Sequence, residues 1–132
     1  MTDLGAQAYS DLTRVLLAQG NLREAKETAD HAVGLSKKGG DLTAHFDATL
    51  ALAAVDTALG KTAEATKELE NLRDETSRHR YAAYEMEARL GLAKLQLGAG
   101  EVTRGREHLL QLQKDARDHG FLLLFRKAAA AN

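Results

Sequence analysis

The sequence predicts an all-α chain in which one pair of helices recurs three times. Three observations carry this. Gly20, Gly60 and Gly100 recur at equal intervals along the chain. Apolar residues around each of them step by three and four, the spacing of one helix face. The 132 residues include 24 Ala and 22 Leu but only four Val and no Ile, so helix formers dominate and β-branched core residues are scarce.

The register set by the glycines extends well beyond them. Ala8, Ala48 and Ala88 align, then Leu12, Leu52 and Leu92, then Thr13, Ala53 and Ala93, then Val15, Val55 and Leu95. After the glycine come Leu22, Thr62 and Val102, then Ala25, Ala65 and Gly105. Ala29, Leu69 and Leu109 follow, and Ala32, Leu72 and Leu112 close the unit. Self-similarity at one fixed long period marks a repeat architecture.

Each element then follows in order. The stripe Ala8, Leu12, Val15 and Leu16 predicts a first helix over about 4–18, broken at Gly20. Leu22, Ala25, Ala29, Ala32 and Leu35 predict a second over about 22–37. Gly39-Gly40 breaks it, and Asp41 is the expected N-cap of a third helix over about 42–58. The fourth is expected over about 62–77, the fifth over about 80–97 and the sixth over about 102–118. Thr76 to Arg80 holds no glycine, which leaves that boundary the least defined. Gly120 introduces a seventh helix over about 121–131. The chain thus reads as a single domain with units at about 4–39, 40–78 and 79–119 and a terminal helix.

Composition narrows the function. Eighteen Lys and Arg against 19 Asp and Glu give a net charge of −1, without the basic stripe that phosphate contacts demand, so no nucleic-acid partner is expected. The absence of Cys removes disulfides, zinc fingers and thiol chemistry and suits a cytoplasmic protein. The longest wholly apolar run, Leu50 to Val55, is far short of the roughly 20 residues that span a bilayer, and no signal peptide opens the chain.

Tyr9-x-x-Leu12-Thr13-x-x-Leu16, then Gly20-Asn21-Leu22, then Ala25-x-x-x-Ala29-x-x-Ala32 resembles the tetratricopeptide repeat. The second unit matches at Leu52, Ala53, Gly60, Ala65, Leu69 and Leu72, and the third at Leu92, Ala93, Gly100, Leu109 and Leu112. The resemblance covers roughly positions 6–115. It departs from the family in its period, which is longer than the family's usual one, in lacking the closing proline, and in Asp56, Gln96 and Gly105 at usually large or Ala positions. In this it is similar to long-period repeats found at the ends of larger bacterial proteins. The resemblance implies a right-handed α-solenoid of three hairpins with a capping helix, whose first helices line a concave face that binds a peptide or helical segment.

On that reading the groove is lined by Gln7, Ser10, Arg14 and Leu17, by Asp47, Leu50, Ala54 and Thr57, and by Glu87, Leu90, Lys94 and Leu97. Arg14 and Lys94 lie two units apart with Asp47 and Glu87 nearby, a poor match to a carboxylate clamp. An amphipathic helix suits this lining better. The competing reading is that Leu17, Leu50, Leu90 and Leu97 pack against adjacent helices.

No constellation for covalent chemistry is expected, nor any cofactor or metal. His31, His45, His79, His108 and His119 form no ligand pair of helical zinc-site spacing and read as solvated or capping residues. Gly98-Ala99-Gly100 reads as a helix-ending turn. One segment escapes the amphipathic rule: Phe121, Leu122, Leu123, Leu124 and Phe125 are apolar on every side of a helix. Phe121, Leu124 and Phe125 share one sector and are expected to pack on the sixth helix. Leu122 or Leu123 is then expected to meet a second molecule or the chain's own groove. The function expected is a non-enzymatic protein-interaction module, with self-association as a homodimer through the last helix as the alternative.

Overall fold

The structure, a computed structural model, describes residues 2–132, with side chains from Leu4 onward. All regular elements among the described residues are α-helices: α1 (Thr2–Ala18), α2 (Leu22–Lys38), α3 (Leu42–Ala58), α4 (Thr62–Arg78), α5 (Ala82–Gly98), α6 (Val102–Asp118) and α7 (Leu122–Ala131). The first six have 17 residues each, and successive helices all begin at the same interval from Thr2 to Leu122. The sequence repeats only with every second helix because alternate helices differ in composition, whereas the backbone repeats with every helix.

That regularity comes from the joints. After α1, Asn21 N–H donates to Leu16 O at 2.9 Å and Gly20 N–H to Leu17 O at 3.1 Å. This pair of bonds satisfies two of the carbonyls a helix end leaves open, and it requires a left-handed residue between them. Gly20 supplies it at φ 78°, as do Gly60, Gly100 and Gly120 at their joints. One further joint of this kind, between α4 and α5, has no glycine. Arg80 takes φ 62° there, with Tyr81 N–H on Thr76 O at 2.8 Å and Arg80 N–H on Ser77 O at 3.2 Å. This is why the fifth helix starts at Ala82 rather than near position 80. A side chain at that backbone conformation carries a steric cost, so Arg80→Gly is expected to stabilise the chain by about 0.5–1 kcal/mol after glycine's own entropic cost. Urea unfolding of the two proteins checks this.

The joint between α2 and α3 works differently. Gly39 is extended, and Asp41 caps α3 by accepting from Thr43 N at 2.9 Å and Thr43 Oγ1 at 2.7 Å, as its position predicts.

The chain forms two compact units, one running to Glu68 and one from Leu69 to Asn132. In the first, α1 packs on α2, and α3 packs on both. Thr13 is fully buried; its Oγ1 donates to Tyr9 O at 2.7 Å and lies 2.9 Å from Thr28 Oγ1, so a small side chain brings α1 and α2 together. Val55 packs with Leu16, Ala25 and Ala29. α3 buries residues on all sides, among them Phe46, the largest fully buried side chain among the described residues. In the second unit, α5, α6 and α7 share a core of Met86, Leu90, Ala93, Leu109, Leu112, Ala116, Leu124 and Ala128. Gly105 stands where α2 and α4 have buried alanines because a Cβ there would lie 2.7 Å from Leu97 Cδ2 and 3.2 Å from Ala93 O. Phe121 and Phe125 pack against this core, as the helical sector predicts, while Leu122 and Leu123 stand exposed. The expectation that Leu122 or Leu123 turns into the chain's own groove is therefore corrected.

Candidate functional site

The second helices bury one stripe each, at the same three register positions and a fourth: Ala25, Ala29, Ala32 and Ser36 on α2, then Ala65, Leu69, Leu72 and Thr76 on α4, then Gly105, Leu109, Leu112 and Ala116 on α6. The first helices α1, α3 and α5 present the candidate binding residues. In two of the four register rows, equivalent positions share their exposure. Gln7, Asp47 and Glu87 are all half-buried, and Arg14, Ala54 and Lys94 are all exposed. The two rows are two helical turns apart, so both lie on one face of each first helix.

The other predicted lining residues divide. Leu50 is half-buried and Thr57 exposed. Ser10 is 0% exposed and its hydroxyl finds no hydrogen-bond partner among the described residues, and Leu90 is 4% exposed within the second unit's core. Neither can touch a ligand, because the stripe that meets the neighbouring helix includes them. Leu17 and Leu97 pack against their units' cores while remaining partly accessible, so for Leu17, Leu90 and Leu97 the packing reading holds. The exposed face is therefore more polar than its sequence suggests.

Three of its four charges, Arg14, Asp47 and Glu87, are paired within their units. Arg14 lies 3.7 Å from Asp11 and 4.0 Å from Asp47, and Lys127 of α7 lies 3.1 Å from Glu87. Such half-solvated pairs contribute about 0–1 kcal/mol each, so a charged ligand can displace them at little cost.

A second polar constellation lies outside the predicted groove. Asp56 of α3 is 1% exposed and lies at the register position of Leu16. Lys26 of α2 reaches it, with Nζ 3.1 Å from Asp56 Oδ1 and 3.6 Å from Asp30 Oδ1. Glu68 of α4 lies against the same carboxylate, and Glu68 Oε2 is buried and accepts no hydrogen bond from a described residue. Burial, the hydrogen bond to Asp56 and the Asp56 charge together push the Glu68 carboxyl up to about 8. Burial also works to raise Asp56, but the hydrogen bonds from Glu68 and Lys26 outweigh it and hold that carboxyl below its ordinary value. At neutral pH Glu68 is thus the donor and Asp56 the ionised acceptor between two helices. The sequence signal is Asp56 itself, a charge directly after the apolar run that ends at Val55. The equivalent pair one sequence repeat further on is Gln96 and His108, with Oε1 and Nδ1 2.7 Å apart.

The proton on Glu68 is bound more tightly in the folded chain than in the unfolded one. Its stabilising contribution is complete below the ordinary carboxyl value of 4.5 and is lost as pH rises through about 8. Glu68→Gln keeps a donor and removes the titration. The variant is expected to gain on the wild type steadily between about pH 5 and 8 in thermal unfolding and to hold a constant lead above that. Parallel curves over that range would show that Glu68 is ionised throughout.

Two further histidines make local contacts. His119 Nδ1 lies 2.8 Å from Asp115 O at the end of α6, and His31 stacks on Tyr9 with ring centroids 5.3 Å apart. No group of three His, Asp or Glu among the described residues is placed to hold a metal ion. No described helix is long and apolar enough to cross a membrane. Comparison with protein-family models, with curated proteins and with solved structures finds no match.

Proposed function

We propose that the chain is a non-enzymatic, cytoplasmic protein-interaction module: a right-handed solenoid of three tetratricopeptide-like hairpins capped by α7, which binds a peptide or helical segment along the concave face of its first helices. The observation that supports this most is the recurrence of exposure along α1, α3 and α5, half-buried at Gln7, Asp47 and Glu87 and exposed at Arg14, Ala54 and Lys94. Helices that repeat a solvent-facing pattern at two register positions offer equivalent contacts there to an elongated ligand. The ligand is amphipathic. It meets Leu50 with an apolar side chain, places basic groups against the Asp47 and Glu87 row, and places acidic groups against Arg14 and Lys94.

Peptides selected from a displayed random library against the chain test this reading. Their affinity should fall at least tenfold on Arg14→Glu with Lys94→Glu, and should be unchanged by Lys61→Glu with Arg104→Glu on exposed positions outside the first helices. Glu68 is unsuitable as such a control because it belongs to the buried Asp56 pair. Equal losses from both double variants would place the binding surface elsewhere.

A further inference from the structure

The repeat shows which face of a first helix is normally covered, and α1 leaves that face bare. On α3, Ala44, Ala48 and Val55 are at most 4% exposed, with Val55 against Leu16, Ala25 and Ala29. On α7, Leu124 and Ala128 at the matching positions are at most 6% exposed against α5 and α6. On α1 the matching residues are Leu4, Ala8 and Val15. Leu4 is 70% exposed, Val15 52% and their neighbour Leu12 43%, and Ala8 is exposed too. Beside this stripe a groove of about 450 Å³ is lined by Leu12, Leu16, Arg23, Glu24, Glu27 and Thr28.

α7 carries a surface that fits it. Leu122 and Leu123 are 59% and 65% exposed, and Arg126, Ala129 and Ala130, one to two turns further on, complete one outward face. With 10 residues α7 is about 15 Å long, and the bare stripe from Leu4 to Val15 is about 16 Å long. Two leucines match the apolar stripe, small alanines permit close approach, and Arg126 meets Glu24 on a rim where Arg23 and Glu27 pair with each other at 3.8 Å. We propose that the bare face of α1, with its groove, receives the outward face of α7 from a second copy of this chain, giving a head-to-tail association. The contact is heterologous, since the two faces differ, and so each copy can both donate α7 and receive one. This inference is independent of the peptide-binding reading, which uses a different face of α1.

Complementation of two defective variants tests it. Sedimentation velocity on the wild type should show an average mass that rises with concentration up to about 500 µM. Leu122→Lys with Leu123→Lys removes the donor face, and Leu12→Lys with Val15→Lys removes the receiving face. All four sites are exposed, and circular dichroism confirms that each variant is folded. Each variant alone should run as a monomer, with self-association weakened at least tenfold. An equimolar mixture should form a 1:1 dimer that grows no further, because each partner retains one intact face. A monomeric wild type at about 500 µM would overturn the proposal. So would an α1 variant that still associates like the wild type, which would mean that α7 pairs with α7. A mixture of two folded variants that stays monomeric would overturn it as well.

Discussion

Asp56→Ala is expected to destabilise the chain by about 3 kcal/mol at pH 7, the low end for breaking a buried ion pair. The substitution strands Lys26, which loses its 3.1 Å partner, and Glu68, whose proton loses its acceptor. The cost stays at the low end because Lys26 keeps 29% of its side chain in water and can turn outward. The repeat itself suggests the compensating change. Where the second sequence repeat has Asp56 and Glu68, the first has Leu16 and Thr28, which line a common groove. Asp56→Leu with Glu68→Thr reproduces that pair and is expected to recover about 1–2 kcal/mol of the loss, since it fills the site and removes the stranded Glu68 proton, while Lys26 still loses Asp56 and keeps only Asp30 at 3.6 Å. Urea unfolding at pH 7 of the single and double variants measures both. A loss below about 1 kcal/mol for Asp56→Ala would mean that water reaches the carboxylate.

Phe46→Ala is expected to cost about 3–5 kcal/mol, the range for emptying a core aromatic site. Phe46 is 0% exposed on α3, the helix that packs on both α1 and α2. The equivalent positions hold Ala6 and Met86, also buried, so one core site is filled by three very different volumes. Leu110→Ala, on a side chain 56% exposed, should stay within about 0.5 kcal/mol. A small effect at Phe46 would mean that α3 collapses into the space.

Most of the secondary structure is legible in the sequence because its punctuation is chemical. Gly20, Gly60, Gly100 and Gly120 mark left-handed positions that few other residues tolerate, and Asp41 marks a helix start by its capping side chain. The stop at Arg80 is not legible, since nothing in the residue type announces φ 62°; only its place midway between Gly60 and Gly100 does so. Periodicity locates the face of each first helix but not its depth. Ser10 and Leu90 read as groove residues, yet α1 and α5 bury a wider sector than a single stripe, and these residues fall inside it. The sector of α7 is readable, with Phe121, Leu124 and Phe125 on its packed side, because five apolar residues in a row must divide by angle alone. Asp56 is visible as a departure from the repeat. Its partners are not, because Lys26 belongs to the preceding helix pair and Glu68 to the following helix. The same register that aligns Asp56 with Leu16 also aligns Glu68 with Thr28, and comparing those pairs is the step that exposes the polar contact.

Amide chemical-shift mapping tests the central claim most directly. The ¹⁵N-labelled chain is titrated with a library-selected peptide, and the perturbed residues are located. The interaction-module account predicts perturbations concentrated on the first helices, at Gln7, Arg14, Asp47, Leu50, Thr57, Glu87 and Lys94, with α2, α4 and α6 largely silent. Perturbations centred on the second helices, or scattered without regard to the register of the repeat, would contradict it.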